Sequence, residues 1–296
     1  MLSFLPPWIL VFITVPLFFI NTSIVGSSIF LLGIIKFLLP IRPVTVVLNF
    51  IIHGIWRAWA LFNLLIINLT NPVQWQIECE DNLDKKGWYL LISNHISWVD
   101  IMILTQLALN RLPSPKFFLK EELKRVPFVG MAAWGMDMPF MKRFSRAYIE
   151  KHPEMKGKDI ESTKKSCEKF QHIPTTIINF VEGTRVTEKK KLATNTRFKH
   201  LLDPKAGGIA FTLSAMGHLF SGMLNVTLNY PDSNTPAIDV LLGKMKRIQV
   251  QVEVIEVDEE LIGDYFNDDE YKKSFQVWLN DLWLKKDKLI EQLNNS

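Results

Sequence analysis

For its first thirty-five residues the chain carries no charged side chain; the first is Lys36. Trp8 to Phe37 is almost wholly apolar. As a helix at about 1.5 Å per residue it is long enough to cross a hydrocarbon core of roughly 30 Å. A helix apolar on every side must meet lipid or be enclosed by protein, so this run limits the folds open to the chain. No basic stretch precedes it, and it exceeds the apolar part of a secretory signal, so it reads as a retained anchor. After the break Pro40-Ile41-Arg42-Pro43 comes a second apolar segment, Val44 to Leu69, with His53 and Arg57 near its middle. A cation at bilayer centre costs at least about 2.5 kcal/mol, which favours an interfacial or re-entrant path with Arg57 reaching headgroup phosphates. The alternative is a second spanning helix with Arg57 shielded by the first. Residues 1–72 are thus expected to form a membrane-embedded helical hairpin, one spanning helix plus one interfacial or re-entrant segment. Lys36 and Arg42 flank the intervening loop, and the positive-inside bias places it in the cytoplasm.

Beyond Asn71-Pro72 the pattern changes to alternating strand-like and helix-like segments, which predicts an α/β domain over residues 73–258. Expected strands are Trp88–Ile92, Lys116–Leu119, Thr175–Val181, Leu224–Asn229, Ile238–Leu242 and Ile248–Val257; the last alternates Ile248, Val250, Val252 and Val254 with Gln249, Gln251 and Glu253. Expected helices run over Val99–Leu109, Ile160–Gln171 and Ala206–Leu219. Residues 259–296 read as a helical extension starting near Asp268, with Phe275, Trp278, Leu279 and Leu282 at helical spacing as a stripe that docks on the core. The two cysteines, Cys79 and Cys167, offer neither a metal spacing nor a disulfide framework, consistent with a reducing cytoplasmic location for this domain. The net charge of +4 is a mild excess that suits an anionic membrane face or an anionic substrate; no nucleic-acid partner is expected.

Two short blocks carry the chemistry. Ser93-Asn94-His95-Ile96-Ser97-Trp98-Val99-Asp100 follows the first strand of the domain. A hydroxyl is a poor nucleophile until its proton is accepted, and histidine is the natural acceptor near neutral pH. A nearby carboxylate fixes the tautomer and stabilises the imidazolium. With His95 at a strand end and Asp100 one turn into the next helix, the two can face one cleft, while Ser97 is placed to cap that helix. About eighty residues later, Phe180-Val181-Glu182-Gly183-Thr184-Arg185 also ends a strand-like run. The planar fork of Arg185 suits a phosphate, Gly183 permits a tight turn, and Glu182 can hold that turn or orient Arg185. A metal-dependent hydrolase with His95 and Asp100 as ligands needs further ligands, and His53, His152, His172, His200 and His218 form no cluster that would supply them, so no metal is expected. A catalytically silent membrane scaffold is the other alternative.

Asn94, His95 and Asp100 match the Asn-His-x-x-x-x-Asp pattern, and the sequence resembles the PlsC-type glycerolipid acyltransferases, the 1-acylglycerol-3-phosphate and lysophospholipid acyltransferase family. The resemblance covers roughly residues 75–235. It implies a mixed central sheet flanked by helices, with His95 as the base and Asp100 orienting it. The acceptor hydroxyl then attacks an acyl thioester directly, with no resident cofactor and with acyl-CoA or acyl carrier protein as co-substrate. A second family motif is similar to Lys120 to Gly130, followed by Lys142-Arg143, which implies glycerol-phosphate binding through Lys120 and Arg143; Lys124 and Arg125 read instead as a solvated face. The third is matched by Phe180, Glu182, Gly183, Thr184 and Arg185, and implies contact with the acceptor phosphate; Asn94 joins this substrate-binding set. Val186 to Lys190 and Leu201 to Gly208 resemble a subgroup that includes lysophosphatidic acid, lysophosphatidylinositol and lysocardiolipin acyltransferases. The family's fourth motif is a proline flanked by apolar residues; the strand here, Asn225 to Tyr230, reaches no proline until Pro231. Met131, Trp134, Met136, Met138 and Phe140 are placed either to line an acyl-chain groove or to pack a core. The resemblance thus implies a membrane-bound transferase acting on a membrane lipid, with its catalytic domain cytoplasmic.

Overall fold

The computed structural model describes residues 2–79, 83–141 and 173–295. The expected helix Ile160–Gln171, Lys142, Arg143 and Cys167 lie outside the described residues. The chain divides into two compact units: Met1–Pro72 with Lys116–Thr163 and Ile238–Lys244, and Val73–Pro115 with Lys164–Ala237 and Met245–Ser296.

The first unit is built on two long helices, α1 (Pro7–Leu38) and α2 (Arg42–Thr70). At about 1.5 Å per residue each exceeds 40 Å, ample to cross a bilayer. They run antiparallel. Leu2 N–H donates to Leu69 O at one end, Asn21 Nδ2 to Asn63 Oδ1 (2.8 Å) along the way, and Lys36 Nζ to Asn49 Oδ1 at the other. Large apolar side chains such as Phe12, Phe19, Phe50 and Val46 face outward. Arg57 is exposed on α2.

A further short helix, α4 (Val129–Gly135; α3 is given below), lies along the C-terminal half of α1. Glycines permit the approach: a Cβ on Gly26 would sit 2.5 Å from Phe128 O, and one on Gly33 2.8 Å from Gly135 Cα. Trp134 packs on Phe30 and Phe37, and Lys36 Nζ donates to Gly135 O at 2.7 Å. Phe128 and Asp137 bracket this helix in the left-handed region (φ 62° and 55°), at about 1–2 kcal/mol each, held there by the packing on α1. Met136 is buried, and Lys124 and Arg125 are exposed.

The second unit centres on a mixed sheet. Its strands are β1 (Gln74–Glu78), β2 (Trp88–Ser93), β3 (Ser114–Phe117), β4 (Thr175–Phe180), β5 (Phe220–Asn229) and β6 (Arg247–Ile255), in the order β1-β6-β5-β2-β4-β3. β2 runs parallel to both β4 and β5, β5 is antiparallel to β6, and β6 is parallel to β1. The sheet is flanked by α3 (Val99–Arg111), α5 (Glu188–Thr194), α6 (Ala206–Met216) and α8 (Asp269–Asn295). Central β2 is apolar up to its last residue, Ser93, with Leu90, Leu91 and Ile92 fully buried, as a strand covered on both faces requires. α8 docks through Phe275, Leu279, Leu282 and Trp283.

Two expectations need correction. Ile238–Leu242 is not a strand: α7 (Pro236–Leu241) occupies it. Pro236 suits the first helical position, where no N–H is needed, and Asp239 lies in the first turn, so start signals outweigh a short apolar run. Lys116–Leu119 is not one strand either; β3 ends at Phe117, and Leu119–Lys120 pairs separately with Phe140–Met141. β1, an edge strand with every second residue exposed, is too short and polar to stand out in the sequence.

Candidate active site

Three strand ends assemble the site. In the parallel register Ser93 of β2 lies opposite Phe180 of β4 and Val226 of β5, so the segments that leave β2 and β4 emerge side by side. The first carries Asn94 to Ser97 and the second carries Val181 to Val186. Backbone bonds join them: Val181 N–H to Ser93 O, and Val186 N–H to His95 O at 2.8 Å.

His95 Nδ1 lies 2.8 Å from Asp100 Oδ2. The same oxygen accepts from Ile96 N–H (2.6 Å) and Ser97 N–H (2.9 Å), and Asp100 Oδ1 accepts from the Tyr230 hydroxyl at 2.6 Å. Two backbone donors on Oδ2 keep that oxygen an acceptor, so Nδ1 carries the hydrogen and Nε2 holds the lone pair. Asp100 is fully buried, while the His95 side chain keeps 16% exposure. Phe180 stacks on the imidazole with centroids 3.9 Å apart and planes at 17°. The ring is thus fixed on one face by an aromatic, on one edge by a carboxylate, and is accessible elsewhere. Ser97 Oγ makes only a long contact, 3.4 Å, with Val99 N–H, and α3 has no side-chain cap; Asp100 instead reaches back to the backbone of Ile96 and Ser97, ahead of the helix.

Asn94 and Glu182 are spent on backbone. Asn94 donates to Leu228 O and accepts from Leu228 N–H, both at 2.9 Å, and is fully buried. Glu182, 1% exposed, accepts from His95 N–H and Leu202 N–H, each at 3.1 Å. Both fasten the loop that carries His95. Burial pushes the Glu182 carboxyl up to about 8, against its two backbone donors and the positive charge of Lys286. Lys286, buried in α8 and donating to Val226 O, is pushed down to about 7 by its own burial.

Gly183 has φ +69°, the left-handed conformation that glycine adopts at least cost, and its N–H closes a turn on Phe180 O. Lys190 Nζ donates to Thr184 Oγ1 (2.6 Å) and Arg185 O (2.8 Å), clamping the turn from α5. Arg185 is exposed, and its guanidinium has no partner among the described residues. Behind the two loops opens a cleft of about 650 Å³, lined in part by Ile96, Val186, His200 and Tyr230. Lys120 is exposed in the first unit, just before the turn Glu121–Arg125. The structure therefore brings together Asn94, His95, Asp100, Glu182, Gly183, Thr184 and Arg185. Tyr230 and Phe180 are the residues whose place at His95 and Asp100 the sequence reading missed; Tyr230 lies 130 positions from Asp100, with no periodic signal linking them.

A family model described as Acyltransferase matches residues 74–221, half of the chain. Human 1-acyl-sn-glycerol-3-phosphate acyltransferase delta is 26% identical over 216 residues, covering 69% of this chain and 52% of that protein. The Arabidopsis thaliana 1-acyl-sn-glycerol-3-phosphate acyltransferase 3 is 24% identical over 217 residues, at 69% and 53% coverage. The chain spans about half the length of these relatives. Mouse lysocardiolipin acyltransferase 1 is 26% identical over 302 residues, covering 93% of this chain and 72% of that protein. The crystal structure of the 1-acyl-sn-glycerophosphate (LPA) acyltransferase PlsC from Thermotoga maritima shares the fold, with a TM-score of 0.57 at 15% identity over 98% of this chain and 96% of that one.

Proposed function

The chain belongs to the acyltransferase family, and from that premise we propose that it esterifies the sn-2 hydroxyl of a lysophospholipid, foremost 1-acylglycerol-3-phosphate, giving phosphatidic acid. The observation that carries this reading is the His95–Asp100 pair, with Nδ1 held by the carboxylate and Nε2 free, on a loop bonded to the one that presents Arg185.

The acceptor hydroxyl gives its proton to His95 Nε2 as its oxygen attacks the thioester carbonyl. Asp100 balances the charge of the resulting imidazolium. The tetrahedral intermediate collapses with cleavage of the C–S bond, and the leaving thiolate takes the proton back from His95. Neither donor, acyl-CoA or acyl carrier protein, requires a covalent enzyme intermediate, since among the described residues no nucleophilic side chain is partnered to His95. Arg185 binds the acceptor phosphate through its fork. By family resemblance Lys120 and Arg143 add cations to that phosphate.

The packing of the first unit supports one reading of its membrane disposition. The segment Phe128–Asp137 covers one face of α1, and Lys36 is spent on it, so that face is closed to lipid. We place the hairpin along the membrane interface with its exposed apolar face in the acyl chains and the catalytic unit on the cytoplasmic side, where thioester donors are made. A second acceptor reading, a phosphodiester lysophospholipid, is favoured by one observation: the alignment with lysocardiolipin acyltransferase 1 extends over more of the chain than the others. Incubating the purified protein with acyl-CoA and a panel of lysophospholipids, then identifying the diacyl products, decides between them. Lysophosphatidic acid as the best acceptor supports the first reading, and a preferred diester replaces it.

A further inference from the structure

Tyr230 directly follows β5, and both it and Asp100 are closed to solvent, at 4% and 0% exposure. Its hydroxyl meets Asp100 Oδ1 at 2.6 Å. Burial, then the Asp100 charge, raise this phenol well above its ordinary value, so it keeps its proton and acts as a donor. The carboxylate is therefore gripped from two sides: backbone N–H groups and His95 on Oδ2, Tyr230 on Oδ1.

We propose that Tyr230 is a positioning residue for acyl transfer, fixing the plane of Asp100 against the imidazole and limiting the negative charge that the carboxylate presents to His95. This rests on the reading of His95 as the base. In buried surroundings hydrogen bonds in a chain polarise one another, so a donor on Oδ1 draws charge from Oδ2. Without it Ile96, Ser97 and His95 still donate to Asp100, all of them on Oδ2. More charge then faces Nδ1 and the imidazolium is favoured, but the carboxylate plane is held on one oxygen only, so the counter-charge is misplaced as the proton moves. The other ionisable groups around the pair are Glu182, which keeps its proton up to about 8 and would repel Asp100 if it lost it, Lys286 behind Glu182, and exposed Arg185 on the neighbouring loop. A Tyr230→Phe change leaves all three in place.

The test compares wild type, Tyr230→Phe, Asp100→Asn and the double variant as full-length protein in one detergent, with melting temperatures as a check of folding. Steady-state rates across pH are paired with an NMR titration of the His95 ring in histidine-labelled protein, which needs no turnover. In Tyr230→Phe, kcat should fall at least about threefold, with KM for both substrates within about twofold, and the His95 pKa should rise by about half a unit or more. In the Asp100→Asn background the same change should cost less than about twofold, because Tyr230 acts only through the carboxylate. An unchanged His95 pKa, or an equal loss in both backgrounds, overturns the proposal. Wild-type protein that transfers no acyl group sinks the acyltransfer reading instead, while the titration still decides whether Tyr230 sets the pKa of His95.

Discussion

Asp100→Asn separates the two things the carboxylate can do for His95. Four groups contact it: His95 Nδ1, Ile96 N–H and Ser97 N–H on one oxygen, and the Tyr230 hydroxyl on the other. An asparagine must put its single oxygen where two backbone N–H groups point, since the amide NH2 would oppose them there. That leaves the NH2 toward Tyr230, which can accept. The oxygen stays 2.8 Å from Nδ1, so the tautomer is preserved and the charge alone is lost. Two unit charges about 4 Å apart interact by about 4 kcal/mol at an effective dielectric of about 20, and the amide dipole returns part of this, leaving a loss of about 3 kcal/mol. At about 1.4 kcal/mol per decade, kcat falls roughly a hundredfold, with KM little changed. The acid limb of the kcat/KM profile moves down by about two pH units, as the imidazolium loses its counter-charge, by about the same free energy. The assay is thiol release from acyl-CoA across pH, alongside melting temperatures that should stay within about 3 °C of wild type. A rate within threefold of wild type, or an acid limb that moves up, would refute the reasoning. A fall near ten-thousandfold would show that the tautomer is lost as well, contrary to the pinning by Ile96 and Ser97.

Three further outcomes follow from the same geometry. Arg185→Lys keeps the charge but loses the fork, so KM for lysophosphatidic acid should rise about tenfold while KM for acyl-CoA holds; an effect on the donor alone would move Arg185 to the donor site. Gly183→Ala forces a Cβ into φ +69°, which should cost about 1–2 kcal/mol and lower the melting temperature by a few degrees; an unchanged melting temperature would show the turn is not needed. Lys286→Met tests the buried charges. Folded Glu182 keeps its proton up to about 8, whereas an unfolded chain releases it near 4.3, so this group's stabilisation is lost as pH rises through that window. Removing Lys286 pushes Glu182 higher still and also deletes a group that is favoured to shed its proton on folding above about 7. The variant should therefore fall behind wild type by about 5 °C between pH 6 and pH 9; a pH-independent difference would exclude this coupling.

The apolar hairpin, the α/β alternation and both loops of the site were legible because each leaves a local signal: an uncharged run, a period of two or 3.6, a short motif at a strand end. What the residues do within the motif was less so. Asn94 and Glu182 stand beside the reacting group in sequence, but the structure uses them on the backbone of Leu228, His95 and Leu202. A motif reports that a residue type is needed there and does not separate touching a ligand from holding the loop. Tyr230 was invisible for the opposite reason. Its contact is made by sheet order, which brings the end of β5 beside the β2 loop. Ile238–Leu242 misled because a short stretch with four apolar residues in five fits a strand or a buried helical turn, and Pro236 decides it.

The central claim, that His95 takes the proton of a lysophospholipid hydroxyl as it attacks a thioester, is tested most directly by following both products at once. Wild type and His95→Ala, each purified full-length and shown to be folded, are given lysophosphatidic acid and acyl-CoA, and free thiol and phosphatidic acid are counted together. Wild type should release one thiol per phosphatidic acid formed, only when the acceptor is present, and His95→Ala should lose at least about a thousandfold of that rate. Equal turnover in His95→Ala, or thiol release that proceeds without acceptor, would contradict the account.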